Sequence, residues 1–205
     1  MALKFAVNNS LSAVTSLPTA IPTGSMTLLQ TQTASSSATI DFTSNIDSTY
    51  DVYCFKFINI HPATDNVKFQ VGFRDGGSNY DAVKTTTAFR AQHNEGDTQA
   101  VLLYDTSNDL AQSTAFQTLE GGGNALSNDN DHGLSGELYL YNPSSTTFVK
   151  HFMARTSATN PNDYALDGFV AGYLNTTVAI DGVQFKVASG NIDAGTFKLY
   201  GIKDS

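Results

Sequence analysis

The chain has 205 residues, of which 40% are hydrophobic and 15% charged, and its formal net charge is -8. This length fits one domain, or one domain preceded by an arm, and the apolar fraction is sufficient for a core. The acidic excess argues against nucleic-acid binding, because the phosphate backbone would be repelled. Ser, Thr, Asn and Gly are plentiful, as in proteins made of short strands joined by many turns.

The segment 1–25 is predicted to be an extended N-terminal arm. Its apolar residues alternate at Leu3, Phe5 and Val7, and Pro18 and Pro22 then prevent regular strand pairing. A frayed terminus and a docking strap for a neighbouring protein both fit this pattern. The content of Leu, Ile and Val is high for a disordered tail, so we predict a docking arm.

Residues 26–205 are predicted to form a single antiparallel β-sandwich of the jelly-roll type. Short alternating segments recur with turns between them, and a helical period is almost absent. The predicted strands are Thr27 to Thr33, Ala38 to Thr43, Tyr50 to Ile60, Val67 to Phe73, Thr85 to Ala91, Val101 to Tyr104, Gly136 to Tyr141, Thr147 to Arg155, Phe169 to Leu174, Val183 to Val187 and Thr196 to Ile202. Ala34 to Ser37 is predicted to be a polar turn, and Ser107 to Gln112 one helical turn capped by Ser107.

Tyr50 to Ile60 constrains the fold most, because both faces of this strand are mainly apolar. Alternation places Tyr53, Phe55 and Phe57 on one face and Val52, Cys54, Ile58 and Ile60 on the other. We therefore predict that both sets are buried, one in the sandwich core and the other against the arm or a neighbouring subunit. Val67 to Phe73 and Val183 to Val187 instead alternate between apolar and polar residues, which predicts one wet face.

Cys54 is the only cysteine, so the chain cannot form an internal disulfide. Its apolar surroundings in the sequence favour a small buried hydrophobe over a reactive thiol. No apolar run approaches the ~20 residues of a membrane-spanning helix. The N-terminal sequence is too mixed for a signal peptide. We therefore expect synthesis in the cytoplasm, without membrane insertion.

Candidate metal and catalytic groups are scattered through the sequence. His61, His93, His132 and His151 lack the short spacing of a zinc pair. The run Asp129-Asn130-Asp131 resembles part of a calcium loop but lacks the later glutamate. Glu95, Asp97, Glu120, Glu137, Asp163 and Asp167 are available for glycosidase chemistry, yet no spacing marks a pair. We predict a protein that is not an enzyme and has no cofactor or metal site, with any ligand-binding residues unknown.

Two features suggest binding or assembly. Tyr80, Tyr104, Tyr139, Tyr141, Tyr164 and Tyr173 are too many for the core alone, and aromatic residues on a sheet serve either subunit packing or sugar stacking. The segment from Glu120 to Gly133 is a long loop rich in Gly and Asn, of the kind that is usually functional or mobile.

Several segments together resemble a recurring small virion protein of tailed phages that infect marine bacteria. They are Ala38 to Thr43, Tyr50 to Tyr53, Ile58 to Asp65, Gly136 to Leu138, Asn142 to Thr147 and Gly195 to Ile202. The resemblance covers roughly Ser35 to Lys203 and implies a β-rich particle component. No functional residue of this chain can be assigned from the resemblance.

These observations lead to three hypotheses. The first is a non-enzymatic structural protein of the virion, such as a capsid decoration protein, head fibre or tail appendage. It would form a homo-oligomer, with a trimer favoured, and its arm would dock it to other virion proteins. The second is a lectin-like module that binds host-surface glycans. A polysaccharide-degrading enzyme is the third and least supported reading.

Overall fold

The structure is a computed structural model that describes residues 26–121 and 125–203. The predicted arm, 1–25, lies outside the described residues, so its docking role stays a prediction. All regular structure in the described ranges is β-strand. The strands are β1 (Met26–Ser37), β2 (Ile40–Phe42), β3 (Val52–Pro62), β4 (Phe69–Arg74), β5 (Lys84–Asn94), β6 (Ala100–Tyr104), β7 (Gln117–Thr118), β8 (Leu134–Tyr141), β9 (Lys150–Thr159), β10 (Tyr164–Leu174), β11 (Gly182–Val187) and β12 (Ile192–Ile202).

The strands form two antiparallel sheets. The large sheet has eight strands in the order β1-β12-β3-β8-β9-β10-β5-β6, and the small sheet has four in the order β2-β11-β4-β7. Apart from the hairpin β5-β6 and the run β8-β9-β10, consecutive strands alternate between the sheets, and the first strand pairs with the last, as in a jelly roll. The hairpins β5-β6 and β9-β10 add four strands to one side of the large sheet. The predicted all-β antiparallel sandwich is confirmed.

The core between the sheets is dominated by phenylalanine. Phe185 of β11 packs against Phe57 of β3 with ring centroids 4.9 Å apart, and against Phe55 at 5.5 Å. Phe42, Phe69 and Phe197 complete this phenylalanine cluster. Most of the ring pairs are edge-to-face or tilted, the arrangements that the charge distribution of aromatic rings favours.

The prediction for β3 is correct for one face and wrong for Ile60 on the other. The burial of Ile58 against the arm or a neighbouring subunit stays a prediction. Tyr53, Phe55 and Phe57 are buried in the core. Ile58, however, is 40% exposed, and Ile60 is buried in the core with the first set. The reason is a bulge between Phe57 and Ile60, which shifts the register against β8. One extra residue reverses the alternation, so side chains beyond the bulge change face.

Two predictions of local structure are wrong. Ala34 to Ser37 is not a turn, because β1 pairs with β12 along this segment, for example Ala34 with Gly195. The helical turn from Ser107 does not form either. The carboxylate of Asp105 accepts the Ser107 backbone N–H at 3.2 Å and its hydroxyl at 2.6 Å, which satisfies the Ser107 amide in an Asx turn instead.

The small sheet follows its predicted alternation. The side chains of Val67, Phe69, Val71 and Phe73 are buried, as are those of Val183, Phe185 and Val187. On the opposite face of this sheet, Lys68, Gln70 and Gln184 are partly exposed. This pattern confirms that each segment has one apolar and one wetter face. No helix in the described part of the chain is long and apolar enough to cross a membrane.

Candidate functional site: the outer face of the large sheet

The outer face of the large sheet is the side that points away from the phenylalanine cluster. Cross-strand pairing places Lys56, Glu137, Arg155 and Phe169 in one row across β3, β8, β9 and β10. The row continues through Phe89 of β5 to β6. Several large apolar side chains of this face are strongly exposed: Leu28, Ile58, Phe89, Leu102, Tyr104 and Met153. Large apolar side chains left exposed on one face of a sheet make that face a candidate interaction site.

A hollow of about 630 Å³, the outer groove, crosses five strands of this face. Small side chains leave room for it, including those of Ser135, Ser157, Ala91 and Ala165. Gly136 of β8 belongs to the same floor, and a Cβ there would lie 2.4 Å from the carbonyl oxygen of Arg155. The tight approach of β8 and β9 therefore requires glycine at this position.

Four charged residues line the outer groove as two ion pairs. Arg155 binds Asp167 through two parallel hydrogen bonds of 3.0 and 2.7 Å, and Lys56 lies 3.5 Å from Glu137. The Arg155 side chain is 64% exposed. Water competes with such pairs, so they add little to stability and remain able to bind a partner. The groove thus presents both signs of charge, which gives it the chemistry to match a polar surface.

Arg155 also begins an aromatic ridge beside the groove. Its guanidinium carbon lies 4.8 Å from the centroid of the Phe169 ring. Phe169 stacks in turn on Phe89, with centroids 4.7 Å apart and ring planes 4° from parallel. Tyr104 is the cross-strand partner of Phe89. Both faces of Phe169 are therefore covered, and no free face remains there for stacking by a sugar.

A second hollow of about 370 Å³, the tyrosine hollow, lies on the same face beyond the ridge. Tyr141, Tyr173 and His151 line it, together with Met153 and several threonines. The His151 and Tyr173 rings are 6.4 Å apart and inclined by 50°. Aromatic rings beside hydroxyl groups can take either a sugar ring or an apolar side chain of a protein.

Cys54 lies within the same face but is covered. It pairs across strands with Tyr139 and Tyr200 and is fully buried. Burial raises the pKa of the Cys54 thiol to about 11, an effect that exceeds the opposing hydrogen bond with Tyr139. The thiol is therefore protonated at neutral pH and unreactive. This agrees with the prediction of a buried hydrophobe.

The histidines are only partly brought together. His132 lies 3.5 Å from Asp163 and 3.9 Å from Asp129, while the His61 ring contacts the backbone carbonyl of Asp129 at 3.1 Å. Both histidines line a cleft of about 600 Å³ next to the outer groove. Among the residues that the structure describes, no group of three or more His, Cys, Asp and Glu could hold a metal ion.

The carboxylates considered from the sequence fall in different places. Glu137 and Asp167 share the outer groove, each paired with a cation. Glu120 is completely buried between the layers. Glu95 and Asp163 meet only through a backbone hydrogen bond of 3.1 Å between neighbouring turns.

The sequence pattern does not identify Phe89, Phe169 and Arg155 as candidate site residues. Their alternation within predicted strands placed them on a face, but only the order of β5, β10 and β9 in the sheet makes them neighbours.

Comparison with known proteins adds little. No family model matches the chain, and no curated protein matches it. Two solved chains match. One is a crystal structure of a protein of unknown function from Bacteroides ovatus, with 11% identity and a TM-score of 0.29, covering 51% of this chain and 44% of that one. This chain therefore spans less than half the length of that protein, and so weak a likeness carries no argument about function.

Proposed function

We propose that this chain is a non-enzymatic surface component of a phage particle that assembles as a homo-oligomer through the outer face of its large sheet. The observation that carries the proposal is the exposed apolar surface there, with Leu102 74% and Met153 54% exposed. A monomer would leave these side chains in water, whereas subunit contacts would bury them.

Charge complementarity supports a second copy of the chain as the occupant. The outer groove carries Lys56 and Arg155 close to Glu137 and Asp167. A surface that carries both signs of charge can contact a second copy of the chain, with cations of one copy placed against carboxylates of the other. The jelly-roll fold is common in viral capsid domains, but it also serves lectins, so the fold alone does not decide the role.

Measuring the oligomeric state tests the assembly. Sedimentation of the full chain should give a homo-oligomer, with a trimer expected, and Leu102→Glu should shift it toward monomer. Phe148→Glu is the matched control, because Phe148 is 70% exposed but lies in the loop before β9. A wild-type monomer at all concentrations, or equal effects of both substitutions, would refute assembly through this face.

Placement in the particle needs a separate measurement. Immunogold labelling of purified particles should show the protein on capsid, neck or tail. Deletion of residues 1–25 should abolish incorporation while leaving a folded protein. Particles that carry the truncated chain at normal levels would rule out the docking role of the arm.

A glycan-binding module is the second candidate, and the tyrosine hollow is the observation that favours it. Tyr141 and Tyr173 offer aromatic surface there beside the hydroxyls of Thr85 and Thr87. A glycan array with the purified protein would test this function. Binding should be lost in Tyr173→Ala and kept in Tyr164→Ala, since Tyr164 does not line the hollow. Absence of any signal from the wild-type protein would eliminate this candidate.

A further inference from the structure

Lys68 and Asn108 are held together between two separate parts of the fold. Lys68 directly precedes β4, and Asn108 lies in the segment that follows β6. The Lys68 ammonium nitrogen Nζ donates to the Asn108 side-chain oxygen Oδ1 at 2.8 Å. The carbonyl bond is about 1.23 Å long, so Nζ is about 3.1 to 4.0 Å from the amide carbon Cγ for hydrogen-bond angles above about 90°. This range overlaps the distance of a near-attack arrangement.

The Asn108 amide is fixed from several sides. Its Nδ2 donates to Asp105 Oδ2 at 2.8 Å, and its backbone carbonyl accepts a hydrogen bond from Gln117 Nε2 at 2.8 Å. Asn108 is 5% exposed. Asp105 is itself held by Arg90, whose Nη1 lies 2.7 Å from Oδ2. The amide is therefore oriented with its nitrogen against a carboxylate and its oxygen against the lysine.

A second buried carboxyl, that of Glu120, lies across from Lys68. Glu120 Oε2 accepts the Phe69 backbone N–H at 2.9 Å, and the Leu119 N–H donates to the Phe69 carbonyl at 2.9 Å, which places Glu120 across from Lys68. Its other oxygen, Oε1, is buried without a hydrogen-bond partner within the described residues. Burial raises the pKa of Glu120 to about 8, against the opposing effects of backbone hydrogen bonds and of Lys68. A carboxyl of raised pKa across from an amine is suited to exchanging a proton with it.

We propose that Lys68 and Asn108 form an intramolecular amide bond, a covalent link that the chain makes in itself. The Lys68 ammonium first loses a proton to the ionised form of Glu120, and the resulting amine adds to Cγ of Asn108. A second proton then passes from Nζ to Nδ2. The Cγ–Nδ2 bond then breaks, ammonia leaves, and the Cγ–Nζ amide remains. Atoms and electrons balance without an oxidant, reductant or cofactor. Asp105 holds the leaving nitrogen, and Glu120 is the positioning residue that exchanges the proton.

The link would join the two parts of the protein that the strand order separates. It would connect β4 in the small sheet to the segment after β6 at the far edge of the large sheet. The chain has one cysteine and hence no internal disulfide to do this. A covalent link of this kind stabilises the folded protein mainly by restricting the conformations of the unfolded chain. Such stabilisation suits a protein exposed on a particle.

Intact mass spectrometry of the purified full-length protein tests the proposal. The expected mass, after allowance for removal of Met1, is about 17 Da below the sequence mass because one ammonia is lost. A protease digest should contain a branched peptide that joins Lys68 to Asn108. A folded wild-type protein with the full sequence mass and no such peptide would overturn the proposal.

Two variants separate the cross-link from other chemistry. Cyclisation of Asn108 with its own backbone would also release ammonia, but it does not need Lys68. Lys68→Arg keeps the charge and should restore the full mass, whereas persistence of the loss in this variant would overturn the proposal. Glu120→Gln should slow formation of the link in freshly made protein at least tenfold, and an unchanged rate would remove the role of Glu120. Circular dichroism verifies that both variants are folded.

Discussion

The two halves of the large sheet are stabilised in different ways. The half made of β1, β12, β3 and β8 lies under the small sheet and packs against the phenylalanine cluster. The other half, made of β9, β10, β5 and β6, is covered largely by connecting segments and carries buried polar groups on its inner face, namely Lys84, Thr86, Lys150 and Thr156. The first half, the apolar half, thus has a conventional apolar core. The second, the polar half, combines buried apolar side chains such as Phe152, Leu166 and Val170 with a network of buried polar groups.

The polar network follows from what covers it. Connecting segments bring backbone carbonyls that must be hydrogen-bonded when buried. Lys84 Nζ donates to the carbonyl of Ala115 at 2.8 Å, and Thr156 Oγ1 donates to that of Leu119 at 2.7 Å. Arg90 likewise binds the Gly121 carbonyl at 3.1 Å. In this half, long polar side chains therefore hydrogen-bond to the segments that cover the sheet. In the other half, apolar side chains pack against the small sheet.

The largest expected effect is on the apolar half. Phe185→Ala removes the ring that contacts Phe42, Phe55 and Phe57 and leaves a cavity, so the free energy of unfolding should fall by about 4 kcal/mol. Urea unfolding followed by circular dichroism measures this change. Phe148→Ala is the control and should stay within about 0.5 kcal/mol, because Phe148 is exposed. Equal effects would contradict the assigned core.

The polar half should be sensitive to loss of one charge. In the native protein Arg90 Nη1 lies 2.7 Å from Asp105 Oδ2. Arg90→Ala leaves the Asp105 carboxylate buried without this cation, so the free energy of unfolding should fall by about 3 kcal/mol. Urea unfolding again gives the value. If the polar half is a true network, Arg90→Ala combined with Asp105→Ala should cost less than the sum of the single changes. Strict additivity would show that the two groups act independently.

Glu120 should make stability depend on pH. Burial raises its pKa from about 4.5 to about 8 in the folded protein. The folded state then holds a proton that the unfolded state has released, so stability is highest below about pH 4.5 for this group and declines as pH rises toward 8. Between about pH 4.5 and pH 7 the decline in the free energy of unfolding should reach about 3 kcal/mol, at about 1.4 kcal/mol per pH unit. Glu120→Gln should flatten the curve over this range, and an unchanged curve would contradict the assignment.

The smallest effect is expected on the outer face. Arg155→Ala removes an exposed ion pair with Asp167 and the contact with Phe169, and should leave the urea midpoint of unfolding almost unchanged, because water screens the pair. The same variant should reduce oligomer formation in sedimentation if the groove is the contact surface. A large loss of stability instead would show that the outer face is part of the structural framework.

The sequence by itself determined the fold class and most of the core. Strict alternation in β4 and β11 predicted which side chains are buried, because side chains of a strand point alternately to its two faces. Local pattern was not sufficient at Ile60, since a bulge in β3 depends on its pairing with β8.

Only the tertiary structure decided what lies together on the outer face and in the buried network. Arg155, Phe169 and Phe89 come from three strands whose order reflects the two added hairpins. Lys68, Asn108 and Glu120 meet because the segment that follows β6 turns back across the inner face to pair with β4 as β7. Such contacts depend on sheet order and on the path of long connections, and neither is encoded in the alternation of a single segment.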